Sequence, residues 1–262
     1  MKLGLEGRTA LVGGASSGIG KAIAGALLDE RANVVIVARD AKRLEAAARD
    51  LERRHGRAAM PVTADLTDAA AIEGLLERAH RRYETIDILV ANAGGPPSGP
   101  FEAHDDDAWE AAFRLNLLSG VRLARALLPG MREQRWGRIV FLTSLTVKQP
   151  EPGLILSNSV RAGVSGLAKT LSQEVAADGI TVNSVCPGLT DTERLQALAR
   201  ANAERDGVTP DDVQARWLAA IPAGRLGRPE EVGDAVAFLA SERAAYITGV
   251  ALLVDGGYVK GL

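Results

Sequence analysis

Three glycines set the first chemical constraint. Gly14, Gly18 and Gly20 fall within the run Val12-Gly13-Gly14-Ala15-Ser16-Ser17-Gly18-Ile19-Gly20. Glycine lets a backbone turn tightly and come close to a ligand. The first turn of a helix offers unpaired N–H groups and the positive end of a dipole, which together suit a phosphate. This spacing therefore suits the diphosphate of a dinucleotide. A loose loop can carry the same glycines, so the flanking residues decide. Thr9-Ala10-Leu11-Val12 reads as a short buried strand, and Lys21 to Leu28 carries the spacing of an amphipathic helix. Strand, turn and helix in that order favour the dinucleotide.

The elements that must hold this loop alternate along the chain. Asn33–Ala38 reads as a second strand and Ala41–His55 as a charged helix. Ala58–Val62 is expected as a third strand, placed at an edge by Pro61, which cannot donate to a central ladder. Asp68–Tyr83 is helical, capped by Thr67 or Asp68. Ile86–Val90 is a fourth strand, Asp106–Arg132 one long helix, and Arg138–Leu142 a fifth strand. A helix over Ser157–Ala177, a strand over Thr181–Val185, a helix over Pro229–Ala240 and a strand over Val250–Val254 complete the pattern. Such alternation predicts one α/β domain over residues 1–262, a doubly wound Rossmann-type fold with a parallel seven-stranded sheet and helices on both faces. Residues 191–221 carry helical spacing but no strand. They follow a strand's carboxyl end, where ligands bind in open α/β sheets, and read as a substrate lid. A helical decoration without a role is the alternative.

Composition narrows the class further. The 262 residues are 47% hydrophobic and 24% charged, with a formal net charge of -2, as in an ordinary soluble globule without a nucleic-acid or membrane partner. No apolar run approaches the ~20 residues of a membrane helix, and the N-terminus Met1–Arg8 lacks the apolar core of a signal peptide. Cys186 is the only cysteine, which forbids an internal disulfide and suits packed core. No metal site is expected. A cytoplasmic protein is the simplest fit.

Further motifs recur in order. Ala91-Asn92-Ala93-Gly94 follows the fourth strand, Asn116 lies in the long helix, Ser144 closes the fifth strand, and Pro187-Gly188-Leu189-Thr190-Asp191-Thr192 follows the sixth. The tail carries Tyr246-Ile247-Thr248-Gly249 and Val254-Asp255-Gly256-Gly257. With the Gly-rich run these resemble the short-chain dehydrogenase/reductase family, in its beta-ketoacyl-carrier-protein-reductase-like branch, over essentially the whole chain. The resemblance implies cofactor binding by Gly14, Ser16, Ser17, Gly18, Ile19 and Gly20, with Asp65 and Leu66 at the adenine. It also implies Asn92, Ala93 and Gly94 along the cofactor, Pro187 and Gly188 beneath the nicotinamide, and Thr192 at its carboxamide. Gly13 stands where the family has threonine, which removes a side-chain hydrogen bond that steadies the turn.

Charge points to the cofactor. Ala38 occupies the place of the family's NAD-selective aspartate, and Arg39 follows at once, suited to a 2′-phosphate. NADP(H) is therefore expected over NAD(H). Asp40 complicates this reading unless it caps the next helix, and a solvated Arg39 is the plainer alternative.

The resemblance places a Tyr-x-x-x-Lys pair on the helix after the fifth strand, and here those positions read Ser157 and Arg161. Spacing of four keeps both side chains on one helix face. Arg161 stays charged and can hold ribose hydroxyls. Ser157 is too weak an acid to replace a positioned proton donor, a loss of ~10²–10⁴ in rate. Lys148, Glu151 or a water held by Ser144, Ser157 and Asn116 are the substitutes the sequence offers. His55, His80, His104, Tyr83, Tyr246 and Tyr258 lie outside these segments. Ser157 and Arg161 without function remain the alternative.

The favoured expectation is an NADP(H)-dependent oxidoreductase for a small carbonyl or alcohol, with a 3-oxoacyl-type ketone as one example. Ser144, Ser157, Arg161 and Asn116 form its catalytic set. A non-catalytic NADP(H)-binding sensor or partner subunit is the alternative. A lyase on the same scaffold fits less well, because offshoots of that kind keep Tyr and give up the Gly-rich loop. Trp217, Leu195 and Leu198 are expected to line the lid, with Arg194, Arg200, Arg205 and Arg216 as anion contacts or surface charges. Relatives imply a homo-oligomer, dimer or tetramer.

Overall fold

Strand neighbours point to opposite faces of a sheet, and here both faces are apolar, so helices must cover both. The computed structural model describes residues 2–261. Its strands and helices alternate: β1 (Thr9–Gly13), α1 (Gly18–Asp29), β2 (Asn33–Ala38), α2 (Ala41–His55), β3 (Met60–Thr63), α3 (Ala69–His80), β4 (Ile88–Ala91) and α4 (Asp106–Phe113). There follow α5 (Ser119–Glu133), β5 (Gly137–Leu142), α6 (Ile155–Val175), β6 (Ile180–Pro187), α7 (Glu193–Asp206), α8 (Pro210–Ala220), α9 (Pro229–Leu239) and β7 (Ala251–Val254).

The strands form one parallel seven-stranded sheet in the order β3-β2-β1-β4-β5-β6-β7. On one face Val12, Val34, Ile36 and Val90 pack with Ile23, Leu27, Leu44 and Val236 from α1, α2 and α9. On the other, Leu11, Val35, Val37 and Leu89 pack with Ile72, Leu75, Leu123 and Val164 from α3, α5 and α6. Each such side chain contributes about 1.5–3 kcal/mol on burial. The strand order reverses between β1 and β4, so the loops at their carboxyl ends diverge and open a crevice.

Several boundaries differ from the sequence reading, each for a local reason. β3 begins at Met60 rather than Ala58, where its pairing with Val35 starts, and it lies at the edge as Pro61 requires. β4 begins at Ile88 rather than Ile86. Asp87 is tied to Thr9 twice, its N–H donating to the Thr9 carbonyl at 2.8 Å and its buried carboxylate accepting the Thr9 N–H at 2.7 Å, just before regular pairing of β4 begins. The long helix over 106–132 is interrupted: Arg114–Leu118 form one wider π-type turn between α4 and α5. Such turns often mark functional positions, and this one carries Asn116. α6 starts at Ile155, which places Ser157 inside its first turn. Residues 191–221 contain two helices, because Gly207 closes α7 in a left-handed conformation (φ 66°) and Thr209 with Asp212 caps α8 before Pro210. No helix among the described residues is long and apolar enough to cross a membrane.

Candidate active site

Backbone crowding explains the Gly-rich turn. Gly14 and Gly18 adopt φ of 58° and 53°, where side chains are strained. A Cβ on Gly20 would stand 2.3 Å from the Gly14 carbonyl oxygen. A Cβ on Gly13 would stand 2.3 Å from the Asn92 carbonyl oxygen, so the expected loss of a steadying threonine has a compensation. The Asn92 amide donates to the Gly13 carbonyl at 2.9 Å and ties the turn to the end of β4. Ser17 stands at the N-cap of α1 without a side-chain cap bond, so the first turn keeps its donors for a ligand.

A cleft of about 340 Å³ runs from this turn across the carboxyl ends of the central strands. Gly14, Ser17, Gly18, Ile19, Gly20, Asn92, Ala93, Gly94, Ser144, Ser157, Arg161, Pro187, Gly188 and Thr192 all line it. Gly188 has no room for a side chain, since a Cβ there would stand 2.6 Å from the Asp255 Cα. Thr192 caps α7, accepting the Leu195 N–H at 3.2 Å, with its methyl toward Gly18.

Ser16, Arg39, Asp65, Leu66 and Asn116 do not line this cleft. Leu66 and Asn116 instead border a small void of about 10 Å³ behind it, which Arg161 shares. Asn116 donates to the Gly94 carbonyl at 2.7 Å, and its buried Oδ1 has no protein partner. Asp65 accepts from the Thr67 N–H at 2.9 Å and hydroxyl at 2.8 Å. Burial would raise the Asp65 carboxyl, but these two bonds and the charge of Arg39 outweigh it and hold the group below its usual range. Asp40 accepts the Arg43 N–H at 3.0 Å and caps α2, which leaves the exposed Arg39 without a competing carboxylate at its own position.

Arg161 is the unusual group. It is 9% exposed, and its Nη1 donates to the carbonyls of Leu142 at 2.9 Å and Thr143 at 3.0 Å. Burial, then the nearby charge of Arg194, pushes its pKa down to about 10. Ser144 stands at the end of β5, its hydroxyl accepting the Thr146 N–H at 3.2 Å. One side of the cleft thus gathers two serine hydroxyls and a guanidinium from β5 and α6.

The lid-side residues divide. Leu195, Leu198, Trp217 and Arg194 line the cleft. Arg205 and Arg216 instead pair with Asp206 at 2.8 and 3.7 Å, and Arg200 is an exposed residue outside the cleft. Of the substitute acids, Glu151 reaches the cleft and Lys148 does not. Tyr258 lines it too, where burial and then Glu151 raise its hydroxyl pKa. Its neighbourhood in sequence gave no sign of this. The tail is carried there by the Asp255 carboxylate, which accepts the Val259 N–H at 2.9 Å, and by Gln149, which accepts the Lys260 N–H at 3.2 Å.

A parallel sheet of this order, with a Gly-rich helix start opening into a cleft at the strands' carboxyl ends, is a Rossmann-type fold. The family model described as enoyl-(acyl carrier protein) reductase matches residues 14–259. The chain belongs to this group, within the short-chain dehydrogenase/reductase family, and is an oxidoreductase of that family. It is 38% identical over 255 residues to the 3-oxoacyl-[acyl-carrier-protein] reductase of Salmonella typhimurium, covering 97% of this chain and 98% of the relative. Among solved structures, an actinorhodin polyketide ketoreductase variant with NADPH superposes with a TM-score of 0.94 at 35% identity, covering 97% of this chain and 98% of the other. L-sorbose reductase from Gluconobacter frateurii, complexed with NADPH and L-sorbose, superposes with a TM-score of 0.92 at 34% identity over 100% of both chains.

Proposed function

We propose that this protein is an NADP(H)-dependent reductase or dehydrogenase that moves a hydride between nicotinamide and a small carbonyl or alcohol substrate. One observation carries the reading: the uncapped, glycine-walled start of α1 opens into the same cleft as Ser144, Ser157 and Arg161. The donor set fits a dinucleotide, since the α1 turn supplies free N–H groups and a Cβ would fill its cradle. In this assignment Gly14, Ser16, Ser17, Gly18, Ile19 and Gly20 hold the diphosphate, and Asp65 and Leu66 lie at the adenine. Asn92, Ala93, Gly94, Arg161, Pro187, Gly188 and Thr192 flank the nicotinamide riboside. Arg39 meets the 2′-phosphate, a role left open to it because Asp40 is spent on capping α2.

The bound cofactor supplies the hydride, and the protein's part is orientation and charge stabilisation. Ser144 and Ser157 donate hydrogen bonds to the substrate oxygen. Arg161, fixed by two carbonyls, adds a desolvated positive charge where oxyanion character grows. Ser157 and Arg161 stand, in this reading, where the family carries Tyr and Lys. Asn116 positions the β4 loop through Gly94. The α7–α8 hairpin closes over the substrate as a lid. A cytoplasmic homo-oligomer is proposed as well, supported by exposed Phe101, Phe113, Tyr246 and Leu252.

The test is NADPH titration followed by turnover on a panel of ketones, aldehydes and quinones. The expected result is saturable NADPH binding, tighter than NADH, and carbonyl-dependent loss of NADPH absorbance. Tight binding with no turnover on any carbonyl would replace this reading with a nucleotide-binding sensor. No binding of either coenzyme would remove both.

A further inference from the structure

The cleft holds two guanidinium groups, and their protein bonds run to carbonyl oxygens only. Arg161 is fixed to Leu142 and Thr143 as described. Arg194, the second residue of α7, donates through Nη2 to the Pro96 carbonyl at 2.5 Å. Its guanidinium lies flat against the β4 loop: the Nη2, Nε and Cζ atoms would be 3.2, 3.3 and 3.5 Å from a Cβ on Gly95. A side chain at Gly95 would push the arginine aside by a few tenths of an ångström, so a glycine there suits its close approach. The two charges are close enough that Arg194 depresses the ionisation of Arg161.

The acidic groups of the cleft are engaged elsewhere. Glu193 is held by Arg43 of α2 at 2.5 Å. Glu151 accepts from Gln149 at 3.2 Å and lies beside Tyr258. Two like charges, Arg161 buried and Arg194 exposed to the solvent of the cleft, therefore share its wall, and an anion arriving at Arg194 would relieve their repulsion. The start of α7 adds its own positive dipole end at Arg194. The proposed diphosphate cradle is walled by other residues, Gly14, Gly18 and Gly20. Beyond Arg194 the wall turns apolar with Leu195, Leu198 and Trp217. The anion that fits between is borne on a small apolar body.

We propose that Arg194 forms a carboxylate subsite, so that the substrate is a small oxo or hydroxy acid. This rests on the hydride-transfer reading above for what happens to the oxo group, but not for the binding of the carboxylate. The planar fork of a guanidinium takes a carboxylate through two parallel hydrogen bonds. Arg194 orients the acid end, and the oxo group faces Ser144 and Ser157.

The experiment measures binding to the NADP+-saturated protein by isothermal calorimetry, so that no hydride is available to consume an oxo probe. The probes are 4-oxopentanoate, 3-oxocyclohexanecarboxylate and 2-oxo-4-phenylbutanoate, each against its methyl ester. The acid should bind roughly tenfold to a hundredfold tighter than the ester in at least one pair, the range of one hydrogen-bonded charge. Arg194→Gln should abolish that preference and leave NADPH affinity within about twofold, and Arg194→Lys should restore part of it. Esters binding as well as acids in every pair would overturn the proposal. So would an Arg194→Gln variant that loses NADPH affinity by the same factor as acid affinity, which would assign the arginine to the cofactor's phosphates. Acid-selective binding without turnover would sink the hydride reading and leave the carboxylate subsite standing. Turnover indifferent to the charge would do the reverse.

Discussion

Replacing Arg161 by methionine separates a charge kept for chemistry from one kept for the fold. Burial that pushes its pKa down to about 10 corresponds to about 3 kcal/mol of unfavourable desolvation at neutral pH. Two charge-assisted bonds to the Leu142 and Thr143 carbonyls return about 1.5–3 kcal/mol each. The opposing effects are of similar size, and no acidic side chain is left behind unpaired, unlike a broken buried ion pair that costs about 3–5 kcal/mol. Methionine conserves most of the buried stem. Arg161→Met should therefore lower unfolding free energy, measured by urea denaturation, by no more than about 3 kcal/mol. Carbonyl turnover should fall by at least about tenfold, with weaker NADPH binding. A loss of stability above about 4 kcal/mol would refute the reasoning, since Arg161 would then be structural. Undiminished turnover would refute it from the other side.

Other residues carry sharper geometric expectations. Gly20→Ala places a Cβ against the Gly14 carbonyl; it should cost about 1–3 kcal/mol in thermal or urea unfolding and weaken NADPH titration at least tenfold, whereas Gly166→Ala, with open space around it, should do neither. Arg39→Asp should weaken NADPH more than NADH in parallel fluorescence titrations, and equal weakening would dismiss its phosphate role. Ser157→Tyr combined with Arg161→Lys should raise ketone reduction by about 10²-fold or more if the pocket still presents its oxygen site as the family does. Glu231, held by Arg225 and by the Arg228 N–H at 2.7 Å, titrates near 2 instead of 4.5. A depressed carboxyl gives stability that is present above 4.5 and lost as pH falls through about 2. The melting-temperature deficit of Glu231→Gln should thus be constant at neutral pH and vanish across that window.

The fold was legible because its signals are local and repeated. β2 and α2 could be bounded to the residue, since Val34–Ala38 is an unbroken apolar run behind Asn33 and Gly56 and Asp40 punctuate the helix that follows. Pro61 marked the sheet edge for the same kind of reason. What escaped depended on contacts distant in sequence. Ile86 and Ile88 are equally apolar, and contacts of Asp87 with Thr9 and Arg138, both distant in sequence, mark where β4 begins. The π-type turn at Arg114–Leu118 has no signature in a helical pattern that is otherwise continuous.

The site divides along the same line. The Gly-rich turn was readable because crowding between backbone segments a few residues apart dictates glycine. Arg194 was one of four arginines with equal standing in sequence, and only packing distinguishes it: Arg205 and Arg216 meet Asp206, whereas Arg194 lies over a glycine in the β4 loop. Tyr258 reached the cleft through a tail fastened by Asp255 and Gln149, a path no periodicity reports. The consequence is chemical. In the proposed reading, a cleft that sets Arg161 and two serine hydroxyls by the reacting oxygen would stabilise developing negative charge by electrostatics more than by proton donation. Rate should then depend on the charge at Arg161 more steeply than on the hydroxyl at Ser157. Arg161→Met costing more in turnover than Ser157→Ala is the ordering this arrangement requires, and the opposite ordering would restore a proton-donor mechanism centred on the serine.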